Sequence, residues 1–147
     1  MLTIVCCYNN PEQYNEFVKS VNKQVEKVHL IGIDNSGKKF ESCSKAYNSV
    51  LNDVKTEYVV FSHQDIDLFE TDMLTKFSTY LKQIGIYDIL GVAGARNDEK
   101  NIYTNVCDGN GRYAGEKRIL GLEEFDNVDE CFFGGTTEGF RKYPFDE

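Results

Sequence analysis

The run EYVVFSHQDIDLF, residues 57–69, changes character within a few positions. Its first half suits a buried β-strand, and its second half holds His63, Gln64, Asp65 and Asp67. Carboxylates at the end of a buried strand are costly unless they are solvated at a cleft, paired or bound to a cation. If the chain stays extended, period-two alternation puts His63, Asp65 and Asp67 on one side and Gln64 and Ile66 on the other. One or two carboxylates with a histidine suit a hard divalent ion, Mg²⁺ or Mn²⁺, that keeps several waters and takes its remaining ligands from substrate phosphates. The same residues equally suit a solvated loop ahead of the next helix, with His63 an incidental polar residue. Asp34 has two similar readings, a ligand contact or an Asx turn with Asn35 and Gly37. Asn48, a poor helix former among good ones, is expected either on the solvent face or reaching a ligand.

Other chemistry finds less support. Cys6 and Cys7 at a strand end could suggest a nucleophile, but nothing in the sequence places either histidine, His29 or His63, beside them. Buried structural thiols are the simpler reading. GNGRYAG, residues 109–115, lacks the lysine-serine pair and the following amphipathic helix of a phosphate loop. Its GNG reads as a turn.

Residues at strand ends need elements to hold them. LTIVCC at 2–7, VHLIGID at 28–34, EYVVFS at 57–62 and DILGVAGA at 88–95 read as strands. Asn10, Pro11 and Gln13 supply an N-cap, an N1 proline and a capping-box partner for a helix with Tyr14, Phe17, Val18, Val21 and Val25 on one face. Ser42 caps a second helix, reaching Lys55, with Ala46, Val50 and Val54 on one stripe. Thr71 caps a third, with Leu74, Phe77, Leu81 and Ile84 inward and Gly85 as its stop. The alternation predicts an α/β fold: three layers, a mostly parallel sheet with helices on both faces. Beyond Arg96 the pattern dissolves into loops or hairpins, and VDECFFGGTTEGF returns as a strand pair or a strand leading into a short helix.

In an open parallel sheet, ligands bind outside the carboxyl ends of the strands, near the point where strand order reverses. Polar residues gather at those ends: Tyr8, Asn9 and Asn10; Asp34, Asn35 and Ser36; His63 to Asp67; and Gly94 with Arg96.

The bulk properties bound the partners. A chain of 147 residues, 41% of them hydrophobic, can bury one core, so a single domain over 1–147 is expected. A formal net charge of −8 argues against nucleic acid, which needs a basic patch to displace counterions. An acidic chain can still bind a phosphorylated small molecule where helix amino termini or a cation supply positive potential. Five cysteines without metal-site spacing read as reduced thiols. With neither a leader pattern nor a long apolar run, the expected location is cytoplasmic.

Taken in order, VCCYNN, IDNSGKKFESCSKAYN, EYVVFSHQDIDL and VDECFFGGTTEGFRKYPFDE resemble the GT-A nucleotide-sugar glycosyltransferases of family 2. The nearest branch is the bacterial capsule type, whose third strand ends in histidine, glutamine and aspartate. The resemblance extends over nearly the whole chain and implies a Rossmann-like nucleotide-binding core. It implies that Tyr8, Asn9 and Asp34 contact a uridine, that Ala46 and Asn48 line the same pocket, and that His63 faces the ribose. Asp65 would coordinate the divalent cation, Mn²⁺ or Mg²⁺, bridging the diphosphate, and Glu130 would lie on the donor-sugar side. Asp67 takes no family role. The implied reaction is displacement at the anomeric carbon, moving a sugar from a UDP-linked donor to a glycan or lipid-linked acceptor in bacterial surface polysaccharide synthesis.

In that family, the stretch resembling KYPFDE is followed by a segment carrying the carboxylate that deprotonates the acceptor. Here the sequence stops at Glu147. The expectation is a truncated enzyme with no catalytic base assigned, membrane-associated through further regions or partners, whose apolar surface could drive assembly into a homo-oligomer. The alternative is a non-catalytic nucleotide-binding α/β module, which would bind nucleotide without transfer. A phosphoacceptor domain ranks third, since no lysine is clearly placed to serve it.

Overall fold

The computed structural model describes residues 1–146; Glu147, on which the expectation of truncation turns, lies outside the described residues. In chain order the elements are β1 (Leu2–Tyr8), α1 (Pro11–Asn22), β2 (His29–Asp34), α2 (Cys43–Val50), β3 (Tyr58–Ser62) and α3 (Met73–Leu81). There follow β4 (Leu90–Gly91), β5 (Ala93–Ala95), β6 (Ile102–Thr104), β7 (Lys117–Arg118), β8 (Asn127–Val128), β9 (Phe132–Thr136) and α4 (Thr137–Lys142). Among the described residues this makes two sheets and four helices, a mixed α/β fold.

The larger sheet has the order β2-β1-β3-β9-β4. β1 pairs in parallel with β2 on one side and β3 on the other, so strand order reverses at β1. Both faces of the central strands β1 and β3 are buried, which explains why these two read as continuous apolar runs. On one face Leu2, Ile4, Cys6, Val60 and Phe132 meet α1 and α3 through Phe17, Val21, Leu74, Phe77 and Leu81. On the other, Val5, Val59, Phe61 and Phe133 meet Ala46 and Tyr47 of α2 and Phe140 of α4.

Helix starts follow local chemistry. Asn10 caps α1, its side chain accepting from the Glu12 and Gln13 amides ahead of Pro11. Ser42 caps α2 through the Lys45 amide. Helix ends depart from the expected spans. α1 stops at Asn22, leaving Val25 69% exposed, and α2 stops at Val50, with Val54 buried in the turn beyond. Asp72, not Thr71, holds the N-cap of α3; the Thr71 carbonyl instead accepts from the Val25 amide at 2.8 Å, tying the chain after α1 to the start of α3.

The fourth strand is a correction. DILGVAGA splits at Val92: β4 belongs to the larger sheet and β5 to the smaller one. β4 does not pair with β3, because β9 runs antiparallel between them. The glycines of β9 permit this, since a Cβ on Gly134 would collide with the Val59 carbonyl. The sheet is therefore mixed: β1, β2, β3 and β4 run in one direction, as expected of a mostly parallel sheet, and β9 alone runs against them. The GNG turn is as expected: the Asp108 carboxylate accepts from the Asn110 and Arg112 amides, and Gly111 has φ of 76°.

The smaller sheet, β7-β6-β5-β8, is held by a polar cluster around Arg96. Its guanidinium donates to Glu99, Glu123, the Tyr103 hydroxyl and the Glu124 carbonyl, and lies 4.9 Å from the ring centres of Tyr103 and Phe125. Arg96 is thus spent on this sheet and does not join the polar strand ends. Hydrogen bonds from Tyr103 and Asn101, then Lys117 and Arg96, hold the Glu99 carboxyl down at about 2. A depressed carboxyl contributes stability that is fully present above its ordinary value and lost as pH falls toward the folded value. Acidification from 4.5 toward about 2 is expected to loosen this sheet, read as faster amide exchange at Tyr103, and Glu99→Gln should remove that pH step.

Among the described residues, no helix is long and apolar enough to cross a membrane.

Candidate functional site

Because β1, β2 and β3 are parallel, their carboxyl ends share one edge, with Tyr8 beside Asp34 and Cys6 beside Ser62. β9 is antiparallel, so its amino end arrives at that same edge. Phe132 pairs with Ser62, and the His63 amide donates to the Cys131 carbonyl at 2.9 Å. The edge therefore carries residues 8–10, 34–36, 63–65 and 129–131. The last segment takes the place expected for Gly94 and Arg96.

Gln64 connects two of these segments. Its Oε1 accepts from the Asn9 and Asn10 amides, both at 2.9 Å, and its Nε2 donates to Asn9 Oδ1 at 2.9 Å. Alternation had assigned Gln64 to the opposite side from the acids; its amide, able to donate and accept at once, is the signal that could have marked it as a tie between strands. The Tyr8 ring stacks on Tyr14, centroids 4.0 Å apart and 7° from parallel. The bare Gly32 on β2 leaves room for the Tyr14 hydroxyl. Desolvation, then the charge of Asp34, raises the Tyr8 hydroxyl above the usual tyrosine value.

Asp34 forms the Asx turn. Its Oδ1 accepts from the Ser36 hydroxyl at 2.6 Å and the Ser36 amide at 2.9 Å, which pulls the carboxyl below its ordinary value. Asn35 clamps the next turn by bonding both backbone groups of Phe40. Asp34 stays exposed at the edge.

The extended alternation of His63, Asp65 and Asp67 ends early. β3 stops at Ser62 and the chain turns at Gln64 and Asp65. Asp65 and Asp67 are exposed and His63 is half-buried. The arc 64–67 lies against α1, where Asp65 and Asp67 face an open cleft of about 250 Å³ shared with Gln13, Glu16, Lys19 and Lys23. Among the described residues no three His, Cys, Asp or Glu side chains group as a metal cluster.

The α2 positions sit deeper. Ala46 is fully buried in the second core cluster, where its small side chain brings α2 close to the sheet. Asn48 uses its side-chain amide on the chain's own backbone, donating to the Phe145 carbonyl at 2.9 Å and accepting from the Phe145 amide at 3.0 Å. Tyr47, buried between them, donates toward the Ser62 carbonyl, and burial followed by the charges around it, Glu130 included, raises its hydroxyl. Glu130 itself is exposed at the edge.

The thiols near the edge are poor nucleophiles. Burial, then Cys7, Cys43 and Asp65, pushes Cys6 up to about 12, and burial with Cys43 pushes Cys7 to about 11. Thiolate is the reactive form, so both are inert at neutral pH. All five cysteines are free.

Tyr8, Asn9, Asp34, His63, Asp65 and Glu130 therefore share one edge, whereas Ala46 lies in the core and Asn48 holds the Phe145 backbone. No curated protein matches the chain. The model of a glycosyltransferase-like family matches residues 3–114, which include the ends of β1, β2 and β3 but not β9. The chain belongs to this glycosyltransferase-like family, and the polar edge lies largely within the matched residues.

Proposed function

We propose that this edge binds the nucleoside diphosphate of a sugar donor, and that the protein is a glycosyltransferase of the GT-A, three-layer type acting on UDP-linked sugars. The observation that carries this is the convergence of Tyr8–Asn10, Asp34 and His63–Asp65 where strand order reverses, inside the residues matched to the family. Tyr8, Asn9, Asp34 and His63 would contact the nucleoside, and Glu130, brought in by β9, would face the sugar. Ala46 would shape the pocket from beneath. Asn48 would contribute only where its hold on Phe145 leaves room.

The residues present fit a divalent cation. Asp65 is one exposed carboxylate on a turn, and such an ion needs only one or two protein carboxylates when waters and phosphate oxygens complete its shell. Mn²⁺ or Mg²⁺ held by Asp65 would offset the charge of a diphosphate in a protein whose net charge is −8. The acceptor in this reading is a glycan or lipid-linked saccharide of a bacterial surface polysaccharide, and the reaction takes place on the cytoplasmic side of the membrane.

Calorimetric titration with uridine diphosphate, with and without Mn²⁺, tests the reading. Saturable binding that strengthens with Mn²⁺ and weakens when guanosine diphosphate replaces the ligand is the expected result. Absence of uridine diphosphate binding with Mn²⁺ present would overturn it.

A further inference from the structure

The arc carrying Asp65 is tethered on both sides by side chains from other elements. Before it, Gln64 makes its three bonds to Asn9 and Asn10. After it, the Leu68 amide donates to Ser20 Oγ at 3.2 Å. Gln24, 1% exposed, donates to the carbonyls of Leu68 at 3.3 Å and Glu70 at 2.7 Å and accepts from the Leu74 amide at 3.1 Å. Asp65 is exposed, and among the described residues no hydrogen bond or ion pair holds its carboxylate. Its place is therefore set by the backbone on either side of it.

The two tethers differ in what they join. Ser20 of α1 and Gln24 just beyond its end fasten the arc from that side, and both are buried. Gln64 is at the edge and fastens it to Tyr8–Asn10, the other segment assigned to the donor. A group fixed before binding avoids the entropy of being ordered when the ligand arrives, and small displacements of such a group are costly.

We infer that Gln64 is a positioning residue for the donor: it holds the Asp65 carboxylate at a set distance from the Tyr8–Asn10 loop, so that nucleoside and cation-bound diphosphate meet preformed contacts. This rests on the donor-site reading above. All three of its bonds are to the loop, so it acts through Asp65 and Asn9 and not by touching the ligand. The amides it would release are exposed and pass to water, so its removal leaves the fold intact.

Gln64→Met keeps the length and loses the hydrogen bonds. Wild type and variant are titrated with uridine diphosphate with and without Mn²⁺, and their Tm values are compared. The expected result is that the variant keeps its Tm while the strengthening produced by Mn²⁺ falls about 10-fold, the lower end of the losses seen when a supporting residue of a metal ligand is removed, and metal-free affinity falls by less. An unchanged Mn²⁺ effect in the variant would overturn the inference and leave the donor site standing. So would a parallel fall in metal-free affinity and Tm, which marks a purely structural part. If wild type binds uridine diphosphate equally with and without Mn²⁺, this inference fails and the donor site stands; if it does not bind with Mn²⁺ present, both fail.

Discussion

Asp65→Ala is expected to remove the metal-dependent part of uridine diphosphate binding and to leave the fold unchanged. The side chain is exposed and without a hydrogen bond among the described residues, so nothing structural is lost with it. Surface substitutions of this kind change stability by no more than about 0.5 kcal/mol. The affinity effect should be far larger. Replacing a mere supporting residue of a metal ligand costs roughly 10- to 100-fold, so loss of the ligand itself should exceed about 100-fold in the presence of Mn²⁺. Asp67→Ala is the comparison, since Asp67 shares the arc and the cleft but has no assigned role. Wild-type binding by Asp65→Ala would remove Asp65 from the site, and equal losses in the two variants would show that negative charge near the cleft matters and a specific carboxylate does not.

Phe61→Ala should produce the largest loss of stability, about 3–5 kcal/mol for truncation of a buried phenylalanine. The ring is fully buried, with centroids of Tyr47, Phe140 and Phe145 within 5.0 Å and that of Phe133 at 5.5 Å. Little around it can collapse into the space: β3 is central in its sheet, and α2 and α4 are fixed to each other by Arg141, which donates to the Leu51 and Val54 carbonyls. A domain holds only about 5–15 kcal/mol in total, so the variant should remain folded with a Tm lower by roughly 6–20 °C. Thermal unfolding followed by circular dichroism measures this. A shift under a few degrees would mean that the aromatic cluster repacks. Because Phe61 lies two residues before His63, the same variant should also weaken nucleotide binding, and Phe61→Leu, which leaves a smaller void, should recover most of both.

Local signals carried well into three dimensions. The N-caps at Asn10 and Ser42 act as their side chains require, and the apolar residues of 2–7 and 57–62 form two central strands. Boundaries were less legible. Val25 continues the helical spacing of α1 but lies beyond its end, because the backbone there is drawn to Thr71, 46 residues along the chain. Polar residues at strand ends were visible as types, not as roles. His63, Asp65 and Asp67 share one side only if the chain stays extended, and it turns at Gln64. The amide of Asn48 fits solvent, ligand or backbone equally well by its chemistry, and the approach of Phe145, 97 residues away, selects the backbone.

What the sequence by itself determined is whatever depends on near neighbours: which segments between residues 2 and 81 are strands or helices, which faces are apolar, and that acids and amides follow the buried runs. Its resemblance to glycosyltransferases likewise needed only the order of short motifs, and the family match over 3–114 agrees with it. Only the tertiary structure decided strand order and the company each polar group keeps. β9 enters between β3 and β4 because its glycines allow close approach there, and that single antiparallel insertion brings Glu130 to the edge. Arg96 is withdrawn from the edge because four acceptors and two rings lie within reach in the smaller sheet. Such contacts join residues distant in sequence, and they are favourable only after packing has removed the entropy of bringing them together, so no local spacing encodes them.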